Sequence, residues 1–413
     1  MKIISFLGFN TYKETTYISP LGNAQWKTPF FQEALVKFYQ PKSLYVLLTN
    51  TVETAIPKGA SESNWNALQK RLQGKVELQP ISNIPEQNRP EDIWFIFQKV
   101  TECLEDGDEV IFDITHSFRS VPIVALIAVS YIRVVRQVKI KGLLYGAFEA
   151  RNPETDETPT FDLLPIVSLL EWTTATDQFL KTGNAETLAN LLHSSNPETE
   201  NLAESIKGIA QGLHLLRPMD VLRESAILPE RIKEAIPIIS QSVPPFATLI
   251  ERVEKDYGSF GLSNPEDYEN TNNAKISLLK QLKIIEWYAE KEQIIQALSL
   301  AREWLPSLLC YHFKIDPQVH KPNREEMDRL LTGGKNKEGK ESCYREEFNK
   351  LENKKTTQLR RLWNTLANLR NDALHAGFRK NPKKATEIIK ETQKIIEELK
   401  AIAKAWDLTD EEN

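Results

Sequence analysis

The sequence predicts an α/β domain followed by a long all-helical region. In the first 165 residues, short apolar segments rich in β-branched residues alternate with amphipathic segments of helical spacing. From about Pro165 onward the apolar spacing is helical to the end of the chain. Because alternating strands and helices favour a parallel sheet covered on both faces, we expect such a sheet in the first half.

Each expected strand is a short buried-type segment that ends near glycine, proline, asparagine or aspartate. The expected strands are residues 2–9, 43–50, 75–82, 109–115 and 138–145, with a sixth candidate at 160–164. The expected helices between them are residues 65–72, 90–104 and 120–134.

The helical region is predicted to contain two parts. Residues 258–271 are rich in glycine, proline and asparagine and separate them. We therefore predict three domains: residues 1–165, a helical connector at 166–270 and a helical bundle at 271–413. Helices are expected at residues 167–194 with a break near 182–184, and at 197–216, 229–239, 246–257, 274–289, 291–313, 341–353, 356–375 and 382–405. The polar segment 314–339 is expected to be a loop.

Composition limits the classes of protein that are possible. The chain has 413 residues, enough for two or three domains, and a net charge of −5. No apolar run reaches the roughly 18 residues that a membrane helix needs, and the start MKIISFLGFN becomes polar too quickly for a signal peptide. The three cysteines are widely spaced and form no Cys-x-x-Cys pair. We expect a cytosolic protein with reduced thiols and no metal site.

Polar side chains follow three of the predicted strands. They lie in segments 8–12, 49–50 and 113–120. Because ligands of parallel sheets bind beyond the carboxyl ends of the strands, these segments predict a ligand site. The segment 113–120 places hydroxyls, a histidine and an arginine before a helix N-terminus, which favours an anion. Neither a dinucleotide glycine fingerprint nor a Walker lysine–serine motif is present; the alternative is an ordinary capped turn.

A second group of polar residues lies near the C-terminus, in the motif Arg370-Asn371-Asp372-Ala373-Leu374-His375. The preceding leucines recur every three or four residues and predict an amphipathic helix. On a helical wheel, Asn371 and His375 fall opposite this apolar stripe and Arg370 falls on its flank. The helix cannot bury its leucines and His375 in the same core.

These residue types suit cleavage of a phosphodiester. A histidine can take a proton from a 2′-hydroxyl group or give one to a leaving oxygen near neutral pH. An arginine can hold phosphoryl oxygens and stabilise their charge, and no metal is needed. Nine basic residues between 331 and 361, and four more after His375, suggest a phosphate track beside this site. The simpler alternatives are an exposed histidine at a helix end and a solvated basic face.

Taken together, the two motifs resemble those of the CARF–HEPN ribonucleases that accompany type III CRISPR systems. The segment Asp113-Ile114-Thr115-His116-Ser117-Phe118-Arg119-Ser120-Val121-Pro122 is similar to one typical of CARF sensor domains. The arrangement of Arg370, Asn371 and His375 is similar to the HEPN signature. The resemblance spans most of the chain and implies a Rossmann-like CARF domain, an all-α connector and a C-terminal HEPN bundle.

The resemblance also implies an activity. CARF domains pair and bind a cyclic oligoadenylate; HEPN domains pair and cut single-stranded RNA without metal, leaving a cyclic phosphate. By this comparison Arg370, Asn371 and His375 form the catalytic site. The residues expected in the ligand pocket are Gly8, Asn10, Thr11, Thr49, Thr115, His116, Ser117 and Arg119.

The expected assembly is a homodimer or an oligomer of dimers. A twofold-symmetric dimer fits a ring of even repeat, which favours cyclic tetra- or hexa-adenylate as activator. No cofactor is expected.

Two other functions remain open at this point. One is a non-catalytic nucleotide sensor that regulates a partner protein or DNA. The other is a HEPN-type RNA-binding or nucleotide-transferring module with a purely structural α/β half.

Overall fold

The computed structural model describes residues 1–87, 89–116, 121–195, 197–333, 340–378 and 380–408. The chain divides into two compact units, Met1–Leu170 and Glu171–Asn413. Each unit is described by itself.

The N-terminal unit is built on an eight-stranded sheet with the order β3-β2-β8-β7-β6-β1-β4-β5. The strands are β1 Lys2–Phe6, β2 Thr15–Ile18, β3 Gln25–Thr28, β4 Ser43–Thr49, β5 Glu77–Ile84, β6 Glu109–Asp113, β7 Lys139–Gly146 and β8 Glu157–Asp162. The five strands from β5 to β7 pair in parallel, whereas β8 is antiparallel to β7 and β3 is antiparallel to β2.

Helices cover both faces of this sheet, as the alternating pattern predicted. They are α1 Phe31–Tyr39, α2 Asn50–Thr54, α3 Asn64–Leu72, α4 Pro90–Glu102 and α5 Val121–Val135. Neighbouring residues of β1 point to opposite faces, so Ile3 packs with α1 and α3 while Ile4 packs with α4 and α5. The sheet therefore separates two apolar cores. Pro80 is tolerated in β5 because that strand is at the edge of the sheet.

The parallel sheet that was predicted is present from β5 to β7, and antiparallel pairs that were not predicted extend it on one side. The polar segment 10–17 was expected to be a loop but overlaps β2, and neither β3 nor α1 was predicted. Strand β2 has only four residues, and its partner β8 lies about 140 residues further along the chain. Local periodicity cannot reveal such a pairing.

The C-terminal unit is helical. Its helices are α6 Leu164–Thr182, which begins within the N-terminal unit, α7 Glu186–Ser195, α8 Glu200–His214, α9 Pro218–Ser242, α10 Phe246–Tyr257, α11 Thr271–Glu290, α12 Ile294–Phe313, α13 Glu325–Leu331, α14 Arg345–Lys350, α15 Asn353–Leu374 and α16 Ala385–Ala405. Helices α8 and α9 pack against each other, and α12, α15 and α16 are mutual neighbours. None of the described helices is both long enough and apolar enough to cross a membrane.

Two expectations for this unit were wrong. Helix α9 was expected to begin at Pro229 but begins at Pro218 and continues through Pro229 and Pro237. The segment expected to be a polar loop contains α13, whose Met327 and Leu330 are fully buried. Packing of the apolar residues in a short helix outweighs the polar composition around them.

Candidate functional sites

Helix α15 carries the predicted catalytic residues at its C-terminal end. The leucines of its stripe are fully or almost fully buried, as the spacing predicted: Leu359, Leu362, Leu366 and Leu369. The helix ends at Leu374, and His375 is its C-terminal capping residue. The stripe therefore fixes which side of the helix faces the core, and His375 lies on the exposed side.

The three predicted catalytic residues lie within one turn and a half of helix. Arg370 and Asn371 are half-buried, and His375 is exposed. The backbone N–H of His375 donates to the carbonyl oxygen of Asn371 at 2.9 Å. Within the described residues, Arg370 Nε is buried and has no hydrogen-bond partner. Arg370 thus precedes the exposed His375 by five residues at the end of the same helix.

Asp372 is a supporting residue that sequence reasoning did not single out. It is buried, and its Oδ2 accepts a hydrogen bond from the backbone N–H of Lys383 at 2.9 Å. Its carbonyl oxygen accepts from the N–H of Gly377 at 3.4 Å. Asp372 thus ties the segment after the helix back to the helix end. Its place three residues after Leu369, on the apolar stripe, is the signal that could have revealed it.

The segment after α15 is a tight turn that leaves apolar side chains exposed. Ala376 and Gly377 have φ angles of 52° and 74°, so the chain leaves the helix abruptly. Phe378 follows with 91% of its surface exposed, and Leu374 is exposed as well. Apolar surface therefore lies on both sides of His375 in the sequence.

The expected phosphate track is only partly beside this site. Lys354 and Lys355, in the first turn of α15, lie about 30 Å along the helix from His375. Arg360 donates to the carbonyl oxygen of Leu330 at 3.0 Å and also lies over the ring of Phe348. Within one chain, Lys354 and Lys355 are thus distant from His375, and Arg360 is used in packing. Lys335, Lys337 and Arg379 lie outside the described residues; Lys380, Lys383 and Lys384 follow the histidine directly.

A cavity of about 420 Å³ lies at the carboxyl ends of the parallel strands β5, β4, β1 and β6. Its lining residues are Phe6, Leu7, Gly8, Phe9, Asn10, Leu47, Thr49, Thr51, Val52, Ile84, Glu86 and His116. This is the edge at which the sequence placed a ligand site.

Of the predicted pocket residues, the cavity brings together Gly8, Asn10, Thr49 and His116. Two others are directed elsewhere. Thr11 Oγ1 donates to the carbonyl oxygen of Lys58 at 3.0 Å, and Thr115 Oγ1 accepts from the N–H of Gly146 at 2.9 Å. The remaining two, Ser117 and Arg119, lie outside the described residues.

His116 is held as a neutral ring at the wall of this cavity. It packs against Tyr12 with ring centroids 4.4 Å apart. Burial lowers the pKa of His116 to about 4. Its Nε2 is buried and has no hydrogen-bond partner among the described residues. Tyr12 in turn fixes Gly8, because its hydroxyl accepts from the Gly8 N–H at 2.6 Å and donates to the Gly8 carbonyl at 3.0 Å.

Asp113, the last residue of β6, is part of a buried hydrogen-bond network near the cavity. It is fully buried, its Oδ2 accepts from the Ser5 hydroxyl at 2.6 Å, and its Oδ1 accepts from the Thr115 N–H at 2.9 Å. Burial raises the pKa of Asp113 to about 6, although the bonds from Ser5 and Thr115 favour the ionised form. Gln32 of α1 donates to the Ser5 hydroxyl at 3.0 Å. The network therefore joins β1, β6 and α1 next to the ligand edge.

Glu86 is a cavity residue that sequence reasoning missed. It follows β5 in a loop and is exposed at the cavity. Hydrogen bonds from the Thr49 and Thr51 side chains, and from the Thr51 backbone N–H, lower its pKa. No local pattern marks a single glutamate in a loop as a ligand-site residue.

The described residues include no cluster of three or more histidine, cysteine, aspartate or glutamate side chains placed to hold a metal ion. The three cysteines are free.

Comparison with known proteins gives separate family matches for two segments of the chain, residues 2–149 and 168–264. Residues 2–149 match the family model described as the CARF domain of the CRISPR system endoribonuclease Csx1. Residues 168–264 match the second domain of the CRISPR-associated protein MJ1674. MJ1674 of Methanocaldococcus jannaschii is 25% identical to this chain over 190 residues, which are 45% of this chain and 30% of that protein. The matched region therefore spans less than a third of this curated relative.

The fold also resembles that of a solved structure over nearly its whole length. Enterococcus italicus Csm6, bound to cyclic hexa-2′-fluoro-hexa-dAMP, superposes on 99% of this chain and 95% of its own with a TM-score of 0.51. The sequence identity is 12%, so this likeness concerns the fold alone.

These findings define the class of the protein: a Rossmann-like CARF domain followed by a mostly helical region. Over residues 2–149 and 168–264 the chain is therefore similar to CARF-containing CRISPR-associated proteins.

Proposed function

We propose that this chain is a cyclic-oligoadenylate-activated, metal-independent endoribonuclease that cleaves single-stranded RNA in type III CRISPR antiviral defence. The observation that carries the proposal is the exposed end of α15, where His375 follows Asn371 by one helical turn and Arg370 by five residues. The CARF domain in the same chain supplies the sensor. The relatives' names associate such domains with ribonucleases and with a cyclic adenylate ligand.

The proposed chemistry is attack of a 2′-hydroxyl group on the adjacent phosphate. The 2′-oxygen–phosphorus bond forms, the bond to the 5′-oxygen breaks, and a cyclic phosphate remains. A base must accept the 2′-hydroxyl proton and an acid must protonate the leaving 5′-oxygen. His375 would transfer the proton, Arg370 would stabilise the charge on the phosphate, and Asn371 would orient either of these partners.

This chemistry favours two copies of the chain at one site. The base and the acid act on opposite sides of the phosphate, and a single histidine cannot occupy both positions during one step. In a twofold pair, each copy would supply one Arg370, Asn371 and His375 set. The exposed Leu374 and Phe378 beside His375 would give such a pair apolar contact surface.

The ligand cavity supports the same assembly. Its volume of about 420 Å³ is in the range of a site for one drug-sized molecule, which is smaller than a ring of four or six nucleotides. Two cavities facing each other would share one ring. Binding of the ring would then favour one arrangement of the pair and, through the connector, bring the two catalytic sets into register.

The test is cleavage of a fluorogenic single-stranded RNA in the presence of EDTA, with and without cyclic tetra- or hexa-adenylate. His375→Ala should lower activator-dependent cleavage at least about 100-fold, the usual contribution of general acid–base catalysis. His214→Ala is the matched control, because His214 is also an exposed histidine at a helix C-terminus.

The outcomes separate the possibilities. Cleavage that survives in His375→Ala means that the catalytic site is elsewhere. Tight binding of a ring without any cleavage favours the non-catalytic sensor. Cleavage that EDTA abolishes contradicts the metal-independent mechanism.

A further inference from the structure

The described lining of the CARF cavity carries an unusual charge for a nucleotide site. Its only ionised side chain is the carboxylate of Glu86, since burial keeps His116 neutral. Most of the remaining wall is apolar and comes from Phe6, Leu7, Phe9, Leu47, Val52 and Ile84. This part of the cavity therefore offers apolar surface and a negative charge, which does not suit a phosphate.

The Glu86 carboxylate is held in place by the end of β4 and the first turn of α2. Its Oε1 accepts from the backbone N–H of Thr51 at 3.0 Å, and the side chains of Thr49 and Thr51 also bond to it. These bonds lower its pKa, so it is ionised at neutral pH. A carboxylate has about four acceptor positions, so acceptor capacity remains for a ligand.

A fixed carboxylate beside an apolar wall selects a particular part of a nucleotide. It accepts hydrogen bonds from N–H or O–H groups, and it repels phosphate oxygens. The apolar wall is suited to the faces of a purine. Adenine has one strong donor on its edge, the exocyclic 6-amino group.

We propose that Glu86 accepts a hydrogen bond from the 6-amino group of an adenine of the bound ring, and so makes the CARF domain select adenine. This inference rests on the proposed function, because it concerns the base specificity of the same ligand site. The phosphates of the ring would lie away from Glu86.

The experiment compares two rings that differ in one group. Calorimetry on the full chain measures the Kd of the cyclic oligoadenylate and of the matching cyclic oligoinosinate, in which a carbonyl oxygen replaces the amino group. Wild type should prefer the adenine ring by roughly tenfold to 100-fold, the range expected for a hydrogen bond to a charged group. Glu86→Gln should lose most of this preference.

Glu77→Gln is the matched control, since Glu77 is an exposed glutamate at the start of β5, the strand that ends just before Glu86. This variant should keep the wild-type preference. Equal Tm values for the three proteins would show that the folded state is retained.

The ribose 2′-hydroxyl is the competing donor, and a third ligand distinguishes it. Cyclic hexa-2′-fluoro-hexa-dAMP keeps the amino groups but lacks these hydroxyls. If Glu86→Gln weakens binding of this ligand as much as binding of the ribose ring, the amino group is the donor. If Glu86→Gln does not change the Kd of the 2′-fluoro ring, the 2′-hydroxyl is the donor and the proposal is wrong.

Two further outcomes concern the preference for the adenine ring over the inosine ring. An unchanged preference in Glu86→Gln overturns this inference and leaves the proposed function intact. Failure of wild type to bind any of the rings overturns both.

Discussion

Burial acts in opposite directions on the two titratable residues of segment 113–116. Burial lowers the pKa of His116 from 6.5 to about 4, so in the folded state His116 takes up a proton only at a lower pH than it does in the unfolded chain. Acidification below pH 6.5 therefore removes stability through His116. The pKa of Asp113 rises from 3.8 to about 6, so the folded form takes up this proton first and acidification adds stability. The two effects oppose each other between about pH 4 and pH 6.

Asp113→Asn should reveal the effect of His116. An amide keeps the acceptor for the Thr115 N–H but does not titrate. Between pH 7 and pH 5 the variant should lose about 1 kcal/mol more unfolding free energy than wild type loses. Urea denaturation of the N-terminal unit at both pH values measures this difference. His116→Gln should change this loss of unfolding free energy in the opposite direction. Identical pH profiles for all three proteins would contradict the assignment of these effects to Asp113 and His116.

At the scale of the element, the end of α15 depends on Asp372. This residue holds the backbone of Lys383, whereas Glu391 contacts only the exposed ammonium group of the same lysine. Asp372→Ala and Glu391→Ala therefore remove two carboxylates that contact one residue in different ways.

We expect Asp372→Ala to loosen segment 376–383 and to lower RNA cleavage, because His375 loses the support of the following turn. The loss of this buried acceptor should cost about 1–3 kcal/mol of unfolding free energy. Glu391→Ala should change little, since its partner is a surface lysine. Limited trypsin digestion after the lysines of this segment, together with cleavage assays, would measure both. Equal behaviour of the two variants would show that Asp372 has no special role.

The connection between α6 and α7 depends on a glycine. Gly183 has a φ angle of 75°, and a Cβ atom there would lie 2.8 Å from the ring of Trp287. Gly377 has nearly the same φ angle, 74°, but a Cβ atom there would be 3.8 Å from its nearest neighbour. Comparing the two positions therefore distinguishes the cost of backbone strain, which both share, from the cost of steric overlap, which only Gly183 has.

Gly377→Ala should lower the unfolding free energy by about 1–2 kcal/mol through backbone strain alone. Gly183→Ala should lower it by a further 1–3 kcal/mol or so, because the indole ring must move. Urea denaturation of the helical unit measures both values. Equal losses would mean that the ring moves without cost.

At the scale of the whole molecule, the proposed function requires two copies of the chain. Exposed apolar side chains of the N-terminal unit are concentrated on α4 and α5, which pack against each other. Trp94 is 66% exposed and Val134 is 80% exposed. The ring of Phe97 contacts the ring of Trp94 on one side and that of Tyr131 on the other. Helix α4 begins four residues after Glu86 and α5 begins five residues after His116, and both of these residues line the cavity, so pairing through this face would bring two cavities near each other.

We predict that the full chain sediments as a dimer and that Trp94→Glu shifts it toward monomer and weakens activation by the ring. A carboxylate in an apolar interface would lose its hydration without a partner. Leu215→Glu is the control, because Leu215 is an exposed leucine on the helical unit. Analytical ultracentrifugation gives the assembly state; a stable monomer that is fully activated by the ring would contradict the dimer.

The sequence by itself determined the features that follow from local spacing. Alternation predicted the strands of the parallel part of the sheet, the leucine stripe predicted the orientation of α15, and the strand ends predicted the edge that holds the cavity. Tertiary structure alone decided which residues meet. Strand β2 exists as part of the sheet because distant β8 pairs with it. Thr11 and Thr115 follow strand ends yet bond elsewhere, while Glu86 reaches the cavity from a loop. Periodicity gives the direction of a side chain relative to its own element, whereas a site requires contacts between elements far apart in the chain.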